Sequence, residues 1–106
     1  ASLVATRLIK GKHTVLMYRY VADIVERRDP FREAHLAHWS AYLGKGLAGA
    51  GPFLNPVDVG MYIFNGLDDT AIREAVSKDP YVKAGLVSSH ELRDFQVTIG
   101  DEQSKL

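Results

Sequence analysis

The chain of 106 residues contains no cysteine, which excludes disulfide bonds, thiolate nucleophiles and zinc sites built on sulfur. It also lacks net charge, because 13 lysine and arginine residues balance 13 aspartate and glutamate residues. No overall field therefore attracts nucleic acid or an anionic membrane surface, and we expect neither as a partner. The apolar runs are too short to span a bilayer. The glycines from Gly44 to Gly49 lack the spacing of either nucleotide-binding motif.

The residues that are present fit one folded domain. A content of 46% hydrophobic and 25% charged residues is ordinary for a globular protein, and the length lies near the commonest domain size. We predict a single domain over residues 1–106, with a core at about 14–99 and tails at 1–13 and 100–106. A chain this short buries only about two-thirds of its unfolded surface, so self-association would add useful burial.

The order of periodic segments and chain breakers predicts a βαββαβ arrangement. Strands are expected at 14–21, 47–54, 57–64 and 88–99. One helix is expected from Asp29 as its N-cap to about 43, and a second from Asp68 or Asp69 as its cap to about 78. This order is that of a ferredoxin-like α+β fold, a four-stranded antiparallel sheet with two helices on one face. In the last strand, Leu92 and Phe95 lie on opposite parities, which predicts a β-bulge near Arg93 and Asp94.

The predicted strands carry apolar residues on both faces. In the first strand, Val15 and Met17 point one way, whereas Tyr18 and Tyr20 point the other way. Two helices cover only one face of a sheet, so the second face needs another cover. A second copy of the chain is the simplest candidate. We therefore predict a homodimer in which the two sheets pack face to face.

The first helix places a histidine among apolar residues. On a helical wheel, Phe31, His35, Trp39 and Tyr42 form one stripe that faces the sheet. His35 is either a general acid or base or a histidine at the edge of the core that bonds a backbone carbonyl. Trp39 belongs either to the core or to the aromatic wall of a ligand pocket. Arg32, one turn earlier, either shares an anionic ligand with His35 or forms a surface ion pair.

A second set of candidates lies later in the chain. Asp79 precedes Pro80, a typical N-cap for a short helical turn, and it also shares the inner face of the second helix, from which its carboxylate could orient His35. Gly51 and Pro52 either bring backbone close to a ligand or kink the end of a strand. The four histidines lack the carboxylate or cysteine pattern of a metal site, so no metal is expected.

Three segments carry a resemblance to a known family: Arg32–Leu36, Gly51–Pro52 and Asp79–Leu86. From about Val15 to Ile99 the chain resembles the YCII-related family of dimeric α+β barrel proteins. The resemblance implies a pocket in which His35 and Asp79 correspond to a recurring histidine–aspartate pair and Arg32 to the arginine before it. It implies no cofactor. The remaining candidate contacts for a substrate are Trp39, Gly51, Pro52 and Tyr81.

The resemblance favours an enzyme without a cofactor that transfers a proton on a small aromatic or carbonyl substrate, as a lyase, an isomerase or a dehalogenase-like protein. One branch of the family includes a dechlorinating enzyme that acts on a hydroxylated aromatic. The family has no single reaction, and fold does not settle function. The alternative is a dimeric protein that binds a small molecule without catalysis. A third interpretation makes His35 and Asp79 purely structural.

The chain finishes with Ser104, Lys105 and Leu106, the C-terminal tripeptide that the peroxisomal import receptor recognises. We therefore expect that receptor as a partner and the peroxisome as the location. The alternative is a chance ending of a polar tail, with the protein in the cytoplasm.

Overall fold

The computed structural model describes residues 8–102 and contains one antiparallel sheet of four strands with helices. In chain order the elements are β1 (Gly11–Tyr20), α1 (Ile24–Arg27), α2 (Asp29–Ser40), β2 (Leu47–Pro52), β3 (Val59–Phe64), α3 (Asp69–Ser77), α4 (Pro80–Lys83) and β4 (Val87–Val97). The strand order β2-β3-β1-β4 is ferredoxin-like, which confirms the predicted fold class. The tripeptide from Ser104 to Leu106 lies outside the described residues, so its peroxisomal role stays a prediction.

The predicted helices are present, with differences at their ends. Asp29 was expected to cap α2, but this is wrong, because Arg28 occupies the N-cap position and no side chain caps the helix. The helix ends at Ser40 and not at Leu43, since the chain continues in tighter turns after it. Asp68 caps α3 as expected, with its carboxylate accepting a hydrogen bond from the backbone N–H of Ala71 at 2.8 Å. The short helix α1 was not predicted.

The helices bury one face of the sheet. The strands contribute alternate residues to this face, and α2 and α3 contribute one stripe each, as the periods of strand and helix require. The buried cluster consists of Leu16, Tyr18, Trp39, Leu47, Tyr62, Phe64, Ile72, Ala75 and Val76. A fully buried side chain of this size contributes about 1.5–3 kcal/mol relative to an exposed one. This face of the sheet therefore holds the main core.

The opposite face of the sheet is also apolar in its centre. Val15 and Met17 of β1 lie there beside Met61 and Ile63 of β3, and Val15 is buried while the other three are half-buried. Phe95 of β4 shares the face and remains 45% exposed. The two-sided character that the sequence predicts is thus present in the sheet.

The predicted bulge near Arg93 and Asp94 is wrong. From Val97 to Ser89, β4 pairs with β1 without interruption, so that Leu92 lies opposite Leu16 and Phe95 lies opposite His13. Because each face of this sheet accepts apolar residues, the change of parity needs no extra residue. The register shift lies at the other end of the strand, between the positions of Arg19 and Tyr20.

One glycine of the central strands permits a close approach. At Gly60 of β3, a Cβ atom would collide with the hydroxyl of Tyr20. At Gly51 of the neighbouring strand β2, a Cβ atom would meet nothing within 4 Å. Only a residue without a side chain at position 60 therefore lets the Tyr20 ring lie against the sheet.

We predict that Gly60→Ala lowers the free energy of unfolding by about 1–3 kcal/mol, because the added methyl group overpacks the contact with Tyr20. Gly51→Ala is the matched control, since its methyl group enters open space. Urea denaturation of both variants measures the difference. Equal stability of the two variants would contradict the packing argument.

Candidate functional site

A buried aspartate organises the side chains beneath the helix face of the sheet. Asp79 is 0% exposed and caps α4, with Oδ1 accepting a hydrogen bond from the backbone N–H of Tyr81 at 2.9 Å. The same oxygen lies 2.7 Å from Nδ1 of His35. Oδ2 accepts hydrogen bonds from the Tyr18 hydroxyl and the Trp39 indole N–H, both at 2.8 Å. Each carboxylate oxygen thus has two partners, which is what a buried charge needs to remain ionised.

These partners keep the carboxylate charged. Burial acts to raise the pKa of Asp79, but the hydrogen bonds from His35 and Trp39 outweigh it and hold that pKa below the ordinary value. Burial also raises the pKa of Tyr18, and the nearby charge of Asp79 raises it further. Tyr18 therefore keeps its proton, and its hydroxyl donates a hydrogen bond to the carboxylate.

Asp79 determines which nitrogen of His35 is free. Because an ionised carboxylate only accepts hydrogen bonds, the proton on the His35 ring must lie on Nδ1. The ring of Tyr81 lies parallel to the imidazole, with the centroids 3.6 Å apart and an angle of 3° between the planes. These contacts fix the ring in its plane, and His35 is 6% exposed. The nitrogen left for chemistry is Nε2, which lies 3.4 Å from the Tyr62 hydroxyl.

A cavity of about 310 Å³ opens between α2 and the edge strand β2, and His35 lines it. Trp39 and Tyr62 form aromatic walls, while the half-exposed side chains of Leu36 and Leu43 lie at the α2 side. A volume of this size is at the lower end of the range for small-molecule sites. The cavity therefore suits a ligand of about one ring.

The structure brings most of the predicted site residues together. His35, Trp39, Gly51 and Pro52 line the cavity, and Asp79 and Tyr81 contact His35 from behind. Arg32 is exposed and is absent from the cavity lining. Its role in substrate binding stays a prediction.

Phe31 was expected on the buried stripe of α2, but it is 37% exposed, so that prediction is wrong. Position 31 lies in the first turn of the helix, one turn before His35. The stripe of α2 that is buried therefore begins at His35 and continues with Trp39.

Three tyrosines of the site were not predicted. Tyr18 donates to Asp79, and Tyr20 and Tyr62 line the cavity beside His35. The alternation of the strands does place all three on the helix face. Their convergence on His35 depends on the pairing of β1 with β3 and on the position of α2, which no local pattern contains.

The other histidines have separate contacts. His13 is buried, with Nδ1 lying 3.0 Å from the carbonyl of Gly11, and Nε2 of His38 lies 2.8 Å from the carbonyl of Ala75. His90 is exposed on β4. Within residues 8–102, no three histidine, aspartate or glutamate side chains are placed to hold a metal ion. No helix in the same part of the chain is long and apolar enough to cross a membrane.

Similarity to known proteins supplies a family and a fold. Residues 9–96 match the sequence model of the YCII-related domain. A 5-chloro-2-hydroxyhydroquinone dehydrochlorinase from Burkholderia phenoliruptrix, solved with 2,5-dihydroxybenzoquinone, has a TM-score of 0.69 at 18% identity over 79% of this chain and 93% of that chain. No curated protein sequence matches the chain.

Two further solved structures share the fold more loosely. A NIPSNAP family protein from Agrobacterium tumefaciens has a TM-score of 0.52 at 19% identity, over 82% of this chain and 92% of that chain. A protein from Pseudomonas aeruginosa has a TM-score of 0.51 at 10% identity, over 85% of this chain and 96% of that chain. At such identities the likeness extends to the fold alone.

The charge of Asp79 predicts a loss of stability in acid. Since its folded-state pKa is lowered from 3.8, its stabilising contribution is present above that value and is lost as the pH falls through the folded-state pKa. Asp79→Asn places an amide group among hydrogen-bond donors, so it should lower the free energy of unfolding at pH 7 by about 3–5 kcal/mol. Because the variant has no carboxylate to protonate at this position, its free energy of unfolding should also fall less steeply below pH 4 than that of the wild type.

The control is Asp94→Asn, because Asp94 is an exposed carboxylate whose Oδ2 lies 3.5 Å from Nζ of Lys12. Denaturant unfolding between pH 2 and pH 7 measures the three profiles. Parallel profiles for the wild type and Asp79→Asn would show that this carboxylate does not carry the acid sensitivity.

Proposed function

The chain belongs to the YCII-related family, and we propose that it is an enzyme without a cofactor that moves a proton on a small, flat organic substrate. The observation that carries this proposal is the geometry of His35. Nδ1 is held at 2.7 Å by Asp79, while the ring lines the cavity. An imidazole oriented by a carboxylate beside space for a reacting group is the arrangement of a general base.

The proposed step needs no other reactant. A substrate O–H, or a C–H next to a carbonyl, lies within about 2.6–3.2 Å of His35 Nε2 in the reactive complex. The substrate bond to hydrogen breaks, the Nε2–H bond forms, and the electron pair remains on the substrate. The imidazolium is then paired with the ionised Asp79. Return of the proton to a different atom is an isomerisation, and departure of a leaving group is an elimination.

The nature of the cavity supports an aromatic or quinoid substrate. Trp39 and Tyr62 provide flat apolar surfaces beside His35, against which a ring packs well. The dehydrochlorinase of similar fold was solved with 2,5-dihydroxybenzoquinone, a ligand of this shape. Both observations favour a single ring with oxygen substituents over an extended aliphatic chain.

The second candidate function is binding without catalysis. The observation that favours it is the completeness of the Asp79 contacts, because a carboxylate that caps α4 and bonds Tyr18 and Trp39 serves the fold in any case. The protein would then bind a metabolite in the same cavity and gain thermal stability from it, with no product formed.

We predict that His35→Gln lowers proton transfer by about 100- to 10,000-fold, because the general base is removed. The measurement follows the exchange of carbon-bound hydrogen for deuterium by NMR, with a panel of hydroxylated aromatics and cyclic ketones in D₂O. His38→Gln is the matched control, because His38 lies one helical turn away and contacts the carbonyl of Ala75. Wild-type exchange rates in a folded His35→Gln protein would favour the binding function.

We also propose a homodimer formed through the sheet face opposite the helices. The central side chains of that face, Met17, Met61 and Ile63, are apolar and only half-buried, and Phe95 is 45% exposed beside them. Contact with a second copy removes this surface from water, at about 25 cal/mol per Å². The family resemblance to dimeric α+β barrels points the same way.

We expect Met61→Glu to convert the dimer to a monomer, because a charge at the centre of the contact loses its hydration on association. Phe31→Glu is the control, since Phe31 is an exposed apolar residue of α2 on the helix side. Analytical ultracentrifugation gives the mass of each species. A Met61→Glu protein that sediments as the wild type does would exclude this face as the interface.

A further inference from the structure

We infer that the hydroxyl groups of Tyr20 and Tyr62 are the specificity-determining element of the cavity, and that they select a ring carrying an uncharged hydroxyl over a ring carrying a carboxylate. The inference rests on the proposed function for the identity of the ligand site. It goes further by naming the group on the ligand that is recognised and the residues that recognise it.

Three polar groups converge in the cavity. Nε2 of His35 lies 3.4 Å from the hydroxyl of Tyr62, and the side chain of Tyr20 lines the same cavity. The Tyr20 hydroxyl is held in place because it lies over Gly60, where any side chain would collide with it. Tyr20, His35 and Tyr62 all line the cavity, so a ligand reaches the three groups from one side.

The contacts of these three groups leave a donor and an acceptor for a ligand. The Tyr62–His35 contact at 3.4 Å is long for a hydrogen bond. Burial raises the pKa of both tyrosines, so each keeps its proton and can donate a hydrogen bond. The proton of Tyr20 and the lone pair of His35 Nε2 remain available to a ligand.

A ligand hydroxyl matches this pair, because it donates one hydrogen bond and accepts others. A carboxylate offers no proton to Nε2. Among the described residues that line the cavity there is also no lysine, arginine, aspartate or glutamate, so a charged ligand gives up its hydration without gaining a permanent counter-charge. The match therefore favours phenols and enols, and it disfavours benzoates.

The test titrates the protein with phenol, toluene and benzoate at pH 8. Trp39 is the only tryptophan of the chain and lines the cavity, so its single indole N–H signal in a ¹H–¹⁵N NMR spectrum reports binding. We expect phenol to bind more tightly than both other probes. Tyr20→Phe should weaken phenol binding about tenfold, the value of roughly one hydrogen bond, and leave toluene binding unchanged.

Tyr42→Phe is the matched control, because Tyr42 packs against the same core but is absent from the cavity lining. Tyr62→Phe is the second variant, and it should also weaken phenol binding because the cavity loses the hydroxyl that lies beside His35 Nε2. The inference is overturned if phenol does not bind, if benzoate binds as tightly as phenol, or if both variants retain wild-type affinity for phenol.

The experiments distinguish failure of the proposed enzymatic function from failure of the proposed hydroxyl recognition. Loss of deuterium exchange in His35→Gln together with unchanged phenol binding in Tyr20→Phe would retain the enzyme and reject the tyrosine pair. Weakened phenol binding in Tyr20→Phe together with normal exchange in His35→Gln would retain the recognition element and reject the catalytic base.

Discussion

The buried carboxylate of Asp79 is the interaction on which the rest of the structure depends. It joins three elements, because it caps α4 through the N–H of Tyr81, accepts the Tyr18 hydroxyl from β1 and binds Trp39 of α2. A carboxylate removed from water is costly unless each oxygen finds donors. Satisfying Asp79 therefore fixes how α2 and α4 lie against the sheet.

The same constraint positions the cavity. His35 is one of the donors to Asp79, and the Tyr81 ring that follows the cap lies flat against the imidazole. The side chains that stabilise the core are thus also the ones that orient Nε2. Fold stability and ligand chemistry share one group of residues here, so a substitution that relaxes the carboxylate changes both.

Much of the fold and part of the site could be predicted from the sequence. The βαββαβ order follows from strand and helix periods, from Asp29–Pro30 as the start of the first predicted helix and from Asp68 or Asp69 as the cap of the second, and the wheel of α2 placed His35 toward the sheet. The β-bulge predicted near Arg93 and Asp94 from the alternation of apolar residues was wrong, because both faces of this sheet accept apolar residues. Tyr20 and Tyr62 were missed because their approach depends on a tight contact at Gly60 and on pairing between distant strands.

The most direct test of the account is the protonation site of the neutral His35 ring. Long-range ¹H–¹⁵N NMR distinguishes a ring nitrogen that carries hydrogen from one that has a lone pair, and His35→Gln assigns the signals. The account predicts hydrogen on Nδ1, held by Asp79, and a lone pair on Nε2. Hydrogen on Nε2 with a bare Nδ1 would contradict it, because Asp79 would then neither orient the imidazole nor leave a base facing the cavity.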